Sequence, residues 1–454
     1  MKKRDNKIPC LILTLNILVY LAIFFIRIRF GPYRTIDVQI FENVFISLFF
    51  IAILLFLYFW GYRKIKEFSP RLIVIGYLIF VCILIITPLL SSLDMYMYAM
   101  RGRIVSVYGE NPYLRPAADF SEDSFFGYIC EIWAGLTQNY GALWTIFSSL
   151  ITKLGQKSVD LTFSLYKTLA LIGNSIVLVL LYLITKLKSF DELKTKKILF
   201  LYAWSPVFLI EFINNAHNDV WMIVFGLLAL YLYYKKKDLM VIPCLVLAGL
   251  VKYVYWILIP IFLIFFLREK RLNVKKFFYS FLISLVLLIA ICLPFFYSFR
   301  SLQGLIWQAG MNLEASHLFS PFLLGVLSLG NLIGFSSISL FFSIILSAGR
   351  LLFAFAYLVN LFLKQNIVKA ISICLMLFVL LVPSTAFPWY ATWFLPFLIL
   401  GLNVRGVAFW TCAIMVAYPL LYSFGISVLI LAMPFWIFFV FKWIKKQRLF
   451  SLIN

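Results

Sequence analysis

Residues 8–26 read IPCLILTLNILVYLAIFFI and follow Met1-Lys2-Lys3-Arg4-Asp5-Asn6-Lys7. The basic start looks like a secretory signal. The apolar run is too long for one, and no small-residue cleavage site follows it, so we read a first membrane helix. Similar runs recur at 44–61, 72–93, 161–185, 198–213, 220–234, 239–251, 253–267, 277–297, 338–363, 368–386, 389–402, 406–421 and 424–441. Inside lipid every backbone polar group must find its partner within the protein, which long helices achieve by themselves. The chain therefore reads as all-α: a polytopic integral membrane protein with about 12–14 transmembrane helices. Several runs fall short of the ~20 residues a straight span needs, and those around 239–267 and 386–402 are expected to be kinked or re-entrant.

Composition agrees. Of 454 residues, 64% are hydrophobic and 13% charged. Soluble domains carry about 45–50% apolar and about 25% charged residues, which excludes a soluble enzyme, a disordered chain and a disulfide scaffold. The net charge of +22 invites a nucleic-acid partner, but Lys and Arg fall in short clusters between apolar runs. With the N-terminus inside, 28 of the 40 Lys and Arg lie in 2–7, 63–71, 186–197, 235–237, 268–276, 364–369, 405 and 442–448. That bias predicts cytoplasmic termini, a lipid bilayer as environment and no nucleic acid. The seven cysteines are scattered, and two histidines are too few for a His-rich metal centre.

This orientation leaves two long outer segments, 94–160 and 298–337. The first carries 7 of the 18 acidic residues and two amphipathic stretches, 124–137 and 142–152, which suit the membrane interface. Three regions follow: N-terminal helices 1–93, an outer-face loop 94–160, and a bundle 161–454 with the second outer loop near 298–337.

Asp94 ends the third run, and a solvated helix end is its plain reading. Asp94, Tyr98 and Arg101 are spaced four and three apart, however, so they share one helix face. A carboxylate, a phenol and a guanidinium on one face suit a polar site better than a lipid contact. The helix leads to Gly109-Glu110-Asn111-Pro112-Tyr113, where Asn-Pro starts a turn. Tyr140-Gly141-Ala142-Leu143 reads either as an interfacial anchor or as part of the site. Asn214-Asn215-Ala216-His217-Asn218-Asp219 lies between two apolar runs, with Glu211 just before it. Ionisable groups at such depth mark function more often than a solvated turn. Lys252 and Arg350 are lone cations in apolar runs, which either snorkel to an interface or hold an anion. Trp389 and Tyr390 belong either to an aromatic belt or to a platform for a sugar ring. His317 reads as a loop histidine.

Together these blocks resemble the GT-C class of membrane glycosyltransferases, and more narrowly the bacterial polyprenol-phosphate-mannose-dependent α-1,6-mannosyltransferases. The resemblance rests on Asp94-Met95-Tyr96-Met97-Tyr98-Ala99-Met100-Arg101-Gly102, Gly109-Glu110-Asn111-Pro112-Tyr113, Tyr140-Gly141-Ala142-Leu143, His217-Asn218-Asp219 and Val251-Lys252, over roughly 90–400. Ala142 stands where that family usually has Pro, and three helices precede the Asp block, where many GT-C enzymes have one.

The resemblance implies an inverting hexosyl transfer, mannose first, from a polyprenyl-phosphate sugar to a hydroxyl of a glycan or glycolipid at the outer face of the plasma membrane. Asp94 would be the general base. Tyr98, Arg101, Asn111, Tyr113, Tyr140, His217, Asn218, Asp219, Trp389 and Tyr390 would bind substrate, with His217 and Asp219 alternatively holding Asp94 in place. Lys252, Arg350 and Arg300 would meet the donor phosphate, with Lys252 and Arg350 favoured; Arg101 and Arg103 are further cations. No cofactor is required by the spacing, although the carboxylates leave a divalent cation open. Two other classes compete. A transporter predicts inverted repeats around a midplane site, and no repeat is visible. A polyprenyl-linked glycan ligase or polymerase predicts a large late loop, whereas the richest loop here is the early one.

Overall fold

The computed structural model describes residues 7–29, 44–129, 131–271, 273–298, 301, 338–383 and 387–424. The described residues form helices and turns, with no strand among them. Among the described residues four helices are long and apolar enough to cross a membrane, a fifth candidate is a bent pair, and shorter apolar helices accompany them. The polytopic helical reading holds. The run at 424–441 lies outside the described residues save for its first position.

The chain divides into two compact units, Met1–Asp37 with Ile53–Ala315, and Val38–Ala52 with Ser316–Asn454. In the first unit α1 is Lys7–Arg29, α2 is Val44–Arg63 (from Ile53 onward), α3 is Pro70–Ile86 and α4 is Asp94–Ser106. Then come α5 (Ala142–Gly155), α6 (Val159–Leu187), α7 (Glu192–Ala203), α8 (Asp219–Tyr234), α9 (Val241–Val251), α10 (Leu258–Arg268) and α11 (Val274–Cys292).

Three interruptions position the site. The run expected at 72–93 is not one helix: α3 stops at Ile86, and Thr87 is extended at φ −70°, ψ 131°. Pro88 follows, and the residue before a proline is pushed out of the helical region. The run expected at 198–213 breaks at Ser205-Pro206 with a bend of 42° and ends in a π-helical turn, Leu209–Asn214. The kink expected around 239–267 falls at Lys252, which is extended at φ −150°, ψ 116° between α9 and a 3₁₀ turn, Tyr253–Ile257.

Of the two amphipathic stretches, 142–152 lies within α5, but 124–137 is not a helix. It holds a 3₁₀ turn at Phe126–Tyr128 and four helical residues, Glu131–Ala134. The Asp123 carboxylate accepts the Phe125 N–H at 2.8 Å, an Asx turn that competes with helix. Gly127 and Gly135 lower helix propensity further.

Close backbone approach explains two glycines. A Cβ on Gly102 would lie 2.4 Å from the Ser148 carbonyl oxygen, so α4 and α5 meet backbone to backbone. Gly141 donates its N–H to the Val251 carbonyl at 3.0 Å, and a Cβ there would lie 2.1 Å from the Leu250 carbonyl oxygen. Neither neighbour is a flexible side chain. Gly141→Ala is therefore expected to cost about 1–3 kcal/mol through forced backbone movement, read as a lowered melting midpoint in detergent.

The second unit contains α12 (Ile338–Phe362), α13 (Ile367–Leu381), a 3₁₀ turn Pro388–Trp393, α14 (Leu395–Leu400) and α15 (Val404–Phe424). Asn366 caps α13 by accepting the Lys369 N–H at 2.9 Å. The run at 389–402 is thus a turn followed by a short helix, the interruption expected near 386–402.

Candidate functional site

The site begins with the irregular segment 87–93. Its buried backbone groups need partners, and side chains from other elements supply them. Asn214 donates to the carbonyls of Thr87 (2.9 Å) and Pro88 (3.1 Å) and accepts the Leu90 N–H at 2.8 Å. Asn215 accepts the Ser91 N–H at 3.3 Å and donates to the Ser91 hydroxyl at 2.7 Å. Lys167 donates to the carbonyls of Ile85 (3.1 Å) and Thr87 (2.5 Å), and Arg27 donates to the Leu89 carbonyl at 2.9 Å. The segment is pinned from α1, α6 and the π turn at once.

This fixes Asp94 as the first residue of α4, where a carboxylate complements the helix dipole. Its Oδ2 accepts the Tyr98 hydroxyl at 3.3 Å and the Tyr140 hydroxyl at 3.1 Å. Oδ1 accepts no hydrogen bond from the described residues. The Asp94 side chain is 26% exposed, whereas His217 beside it is fully buried. Asp94 is thus the accessible tip of a buried polar cluster.

Behind it, His217 Nδ1 stands 3.7 Å from Asp94 Oδ2, and His217 Nε2 stands 3.3 Å from Glu211 Oε2. The Tyr98 hydroxyl also lies 3.3 Å from Asn218 Oδ1; with one proton, it serves that oxygen or Asp94. Asp219, at the start of α8, accepts Lys252 Nζ at 2.8 Å, and that ammonium lies 5.5 Å from the centre of the Tyr140 ring. The extended backbone at Lys252 lets a residue just past α9 reach α8.

Arg101 is 3% exposed. Its Nη1 donates to Gln138 Oε1 at 3.0 Å and Asn139 Oδ1 at 2.8 Å, and its guanidinium lies 5.9 Å from the Tyr140 ring centre. No carboxylate among the described residues forms an ion pair with it, and its buried Nε has no hydrogen-bond partner there. Arg103, two residues on, meets both oxygens of Asp123 at 2.9 Å. The Tyr140 ring therefore sits among Asp94, Lys252 and Arg101.

The structure thus gathers Asp94, Tyr98, Arg101, Tyr140, His217, Asn218, Asp219 and Lys252. Asn111 and Tyr113 serve the fold beside them: Asn111 donates to the Phe295 carbonyl at 2.6 Å, and the buried Tyr113 donates to the Tyr140 carbonyl at 2.8 Å. Arg350, exposed on α12, and Trp389 and Tyr390 belong to the second unit. There Trp389 stacks on Phe387 at 4.3 Å, and Tyr390 on Trp393 at 4.3 Å. Arg300 and His317 lie outside the described residues. Among the described residues no three His, Cys, Asp or Glu side chains are arranged to hold a metal ion.

Several polar residues of the site carried no assigned role in the sequence: Gln138, Asn139, Asn214, Asn215, Lys167 and Glu211. Lys167 had the same signal as Lys252, a lone lysine in an apolar run. Asn214, Asn215 and Glu211 were legible only as part of the polar block before α8, and Gln138 and Asn139 had nothing that separates them from loop residues.

A family model described as alpha-(1->6)-mannopyranosyltransferase, N-terminal domain, matches residues 33–268. That span includes every residue of the gathered cluster. No curated protein and no solved structure matches the chain.

Proposed function

Because the chain belongs to the alpha-(1->6)-mannopyranosyltransferase family, we propose that it moves mannose from a polyprenyl-phosphate donor to a glycan or glycolipid hydroxyl, as a GT-C type enzyme at the outer face of the plasma membrane. Asp94 is the general base. The acceptor hydroxyl gives its proton to Asp94 while its oxygen attacks the anomeric carbon. The lipid phosphate leaves from the opposite side with the bonding electrons. In-line attack inverts the centre, so a β-linked donor gives an α-linked product.

The observation that carries this reading is the state of Asp94. It is a partly exposed carboxylate with one oxygen held by two phenols and the other unengaged by the described residues. A general base needs a fixed orientation and one oxygen within reach of the proton it takes.

The phosphate then falls to Arg101, with Lys252 beside it. Lys252 is already matched by Asp219. Arg101 is a buried guanidinium without a carboxylate partner among the described residues. An uncompensated buried charge costs several kcal/mol, and a phosphodiester supplies the missing counter-charge with geometry suited to guanidinium. Arg101 follows Asp94 by seven residues on α4, about 10 Å along the axis. That spacing leaves room for a sugar between base and leaving group.

The test uses purified protein in nanodiscs with radiolabelled polyprenyl-phosphate mannose or glucose and an envelope extract as acceptor. Release of polyprenyl phosphate with labelled α-linked product from the mannose donor is the expected result. Failure to bind either donor would overturn the reading in favour of transport or glycan ligation.

A further inference from the structure

Glu211 has no place in the scheme above, yet it is a fully enclosed carboxylate of the cluster, as Asp219 is. Its side chain is 1% exposed. It sits in the π-helical turn Leu209–Asn214, and single π turns recur at functional sites because they re-aim side chains. Oε2 accepts the Asn215 amide at 3.1 Å and lies 3.3 Å from His217 Nε2, while Oε1 has no hydrogen-bond partner among the described residues. Asn215 in turn holds Ser91, three residues before Asp94.

His217 stands between two carboxylates, one facing each ring nitrogen. These are charge-pair distances rather than hydrogen bonds; a neutral imidazole has one N–H, so it presents that N–H to one carboxylate and a lone pair to the other. Only the doubly protonated ring donates towards both. Burial also demands that the Glu211 anion have a cation near it. The neighbouring lysines are engaged elsewhere, Lys252 with Asp219 and Lys167 with backbone carbonyls.

Resting on the assignment of Asp94 as base, we propose that Glu211 is a positioning residue that holds His217 as an imidazolium against Asp94, so that the base stays ionised inside a buried site. His217 keeps its proton throughout. The acceptor's proton passes to Asp94 alone as the new glycosidic bond forms and the bond to the phosphate breaks. The other titratable groups on surrounding elements are Tyr98 and Arg101 of α4, Tyr140, Tyr166 and Lys167 of α6, and the Asp219–Lys252 pair.

Steady-state kinetics across pH in nanodiscs tests this with Glu211→Gln, which preserves shape and the Asn215 contact. Expected are a fall in kcat of about 10²-fold, the lower end of what general-base catalysis supplies, and little change in donor KM. Loss of the imidazolium removes a positive charge 3.7 Å from Asp94. The acid limb of the kcat profile should therefore move up by about one unit, the effect of one charge within ~4–6 Å. Glu211→Asp should recover part of both. A purely structural role would lower the folded yield without moving the limb. If Glu211→Gln fails to fold, His217→Gln replaces it with the same two expectations. Wild-type kcat and an unmoved limb, alongside an inactive Asp94→Asn, would overturn the role of Glu211 and leave the base assignment standing. Turnover in Asp94→Asn would remove the base assignment itself.

Discussion

Asp94→Asn is expected to reduce turnover by about 10³-fold or more while the protein still binds the polyprenyl-phosphate sugar. The size follows from the part proposed for the carboxylate. General-base catalysis contributes about 10²–10⁴ in rate, and 10³ corresponds to about 4 kcal/mol of barrier. Asparagine keeps the shape, and its carbonyl oxygen still accepts the Tyr98 and Tyr140 hydroxyls that meet Oδ2. What it lacks is the ability to take a proton. It also removes the negative charge 3.7 Å from His217, where the neighbouring Glu211 remains. Folding should therefore survive, and a near-native melting midpoint beside lost turnover is the signature. Wild-type turnover in this variant would sink the base assignment.

How far the sequence reaches is seen in α4. The four-then-three spacing of Asp94, Tyr98 and Arg101 predicted a shared face. The Tyr98–Asp94 contact and the place of Tyr140 between Asp94 and Arg101 agree with it. The break at Lys252 was also legible, because two apolar runs too short to span alone met there. Pro88 carried the signal that ends α3 before the expected run does, but the run's hydropathy masked it. Periodicity says which residues share a face of one helix; it says nothing about which distant side chain satisfies a charge. The sequence favoured Lys252 over Arg101 as an anion holder, yet Lys252 meets Asp219 from the start of another helix, whereas Arg101 meets two amide oxygens. The π turn that points Glu211 at His217 has no compositional signature, so a residue noticed only as a neighbour of the His-Asn-Asp block is found buried 3.3 Å from its histidine. The stretch 124–137 shows the opposite error: its polarity pattern suited an amphipathic helix, but a local Asx turn and two glycines decided otherwise.

Arg101 and Arg103 provide the other large expected effect, because two arginines two residues apart on one helix should respond oppositely to the same substitution. Arg103 is matched within the protein. Its Nε meets both Asp123 oxygens at 2.9 Å, its Nη1 donates to the Gln156 carbonyl at 2.6 Å, and its guanidinium lies 4.4 Å from the Phe125 ring centre. The Asp123 side chain is fully buried. Arg103→Met leaves that carboxylate without a cation, with only the Tyr108 hydroxyl and the Phe125 N–H as donors, each at 2.8 Å. Breaking a buried pair from one side costs about 3–5 kcal/mol, so the melting midpoint should fall steeply, while molecules that remain folded keep the donor affinity of the wild type. Arg101→Met removes a cation that no described carboxylate matches. Lost hydrogen bonds to Gln138 and Asn139 are offset by relief of the buried charge, so stability should change far less than in Arg103→Met. Donor affinity should instead fall about 100-fold, which at 1.4 kcal/mol per decade is about 2.8 kcal/mol, within the ~1.5–3 kcal/mol of a hydrogen bond to a charged group. Donor titration and thermal unfolding on the same two preparations separate the roles. Unchanged donor affinity in Arg101→Met would take the phosphate away from that residue. Because the two arginines share a helix, a general disturbance of α4 predicts parallel losses, whereas their different partners predict that stability falls in one variant and affinity in the other.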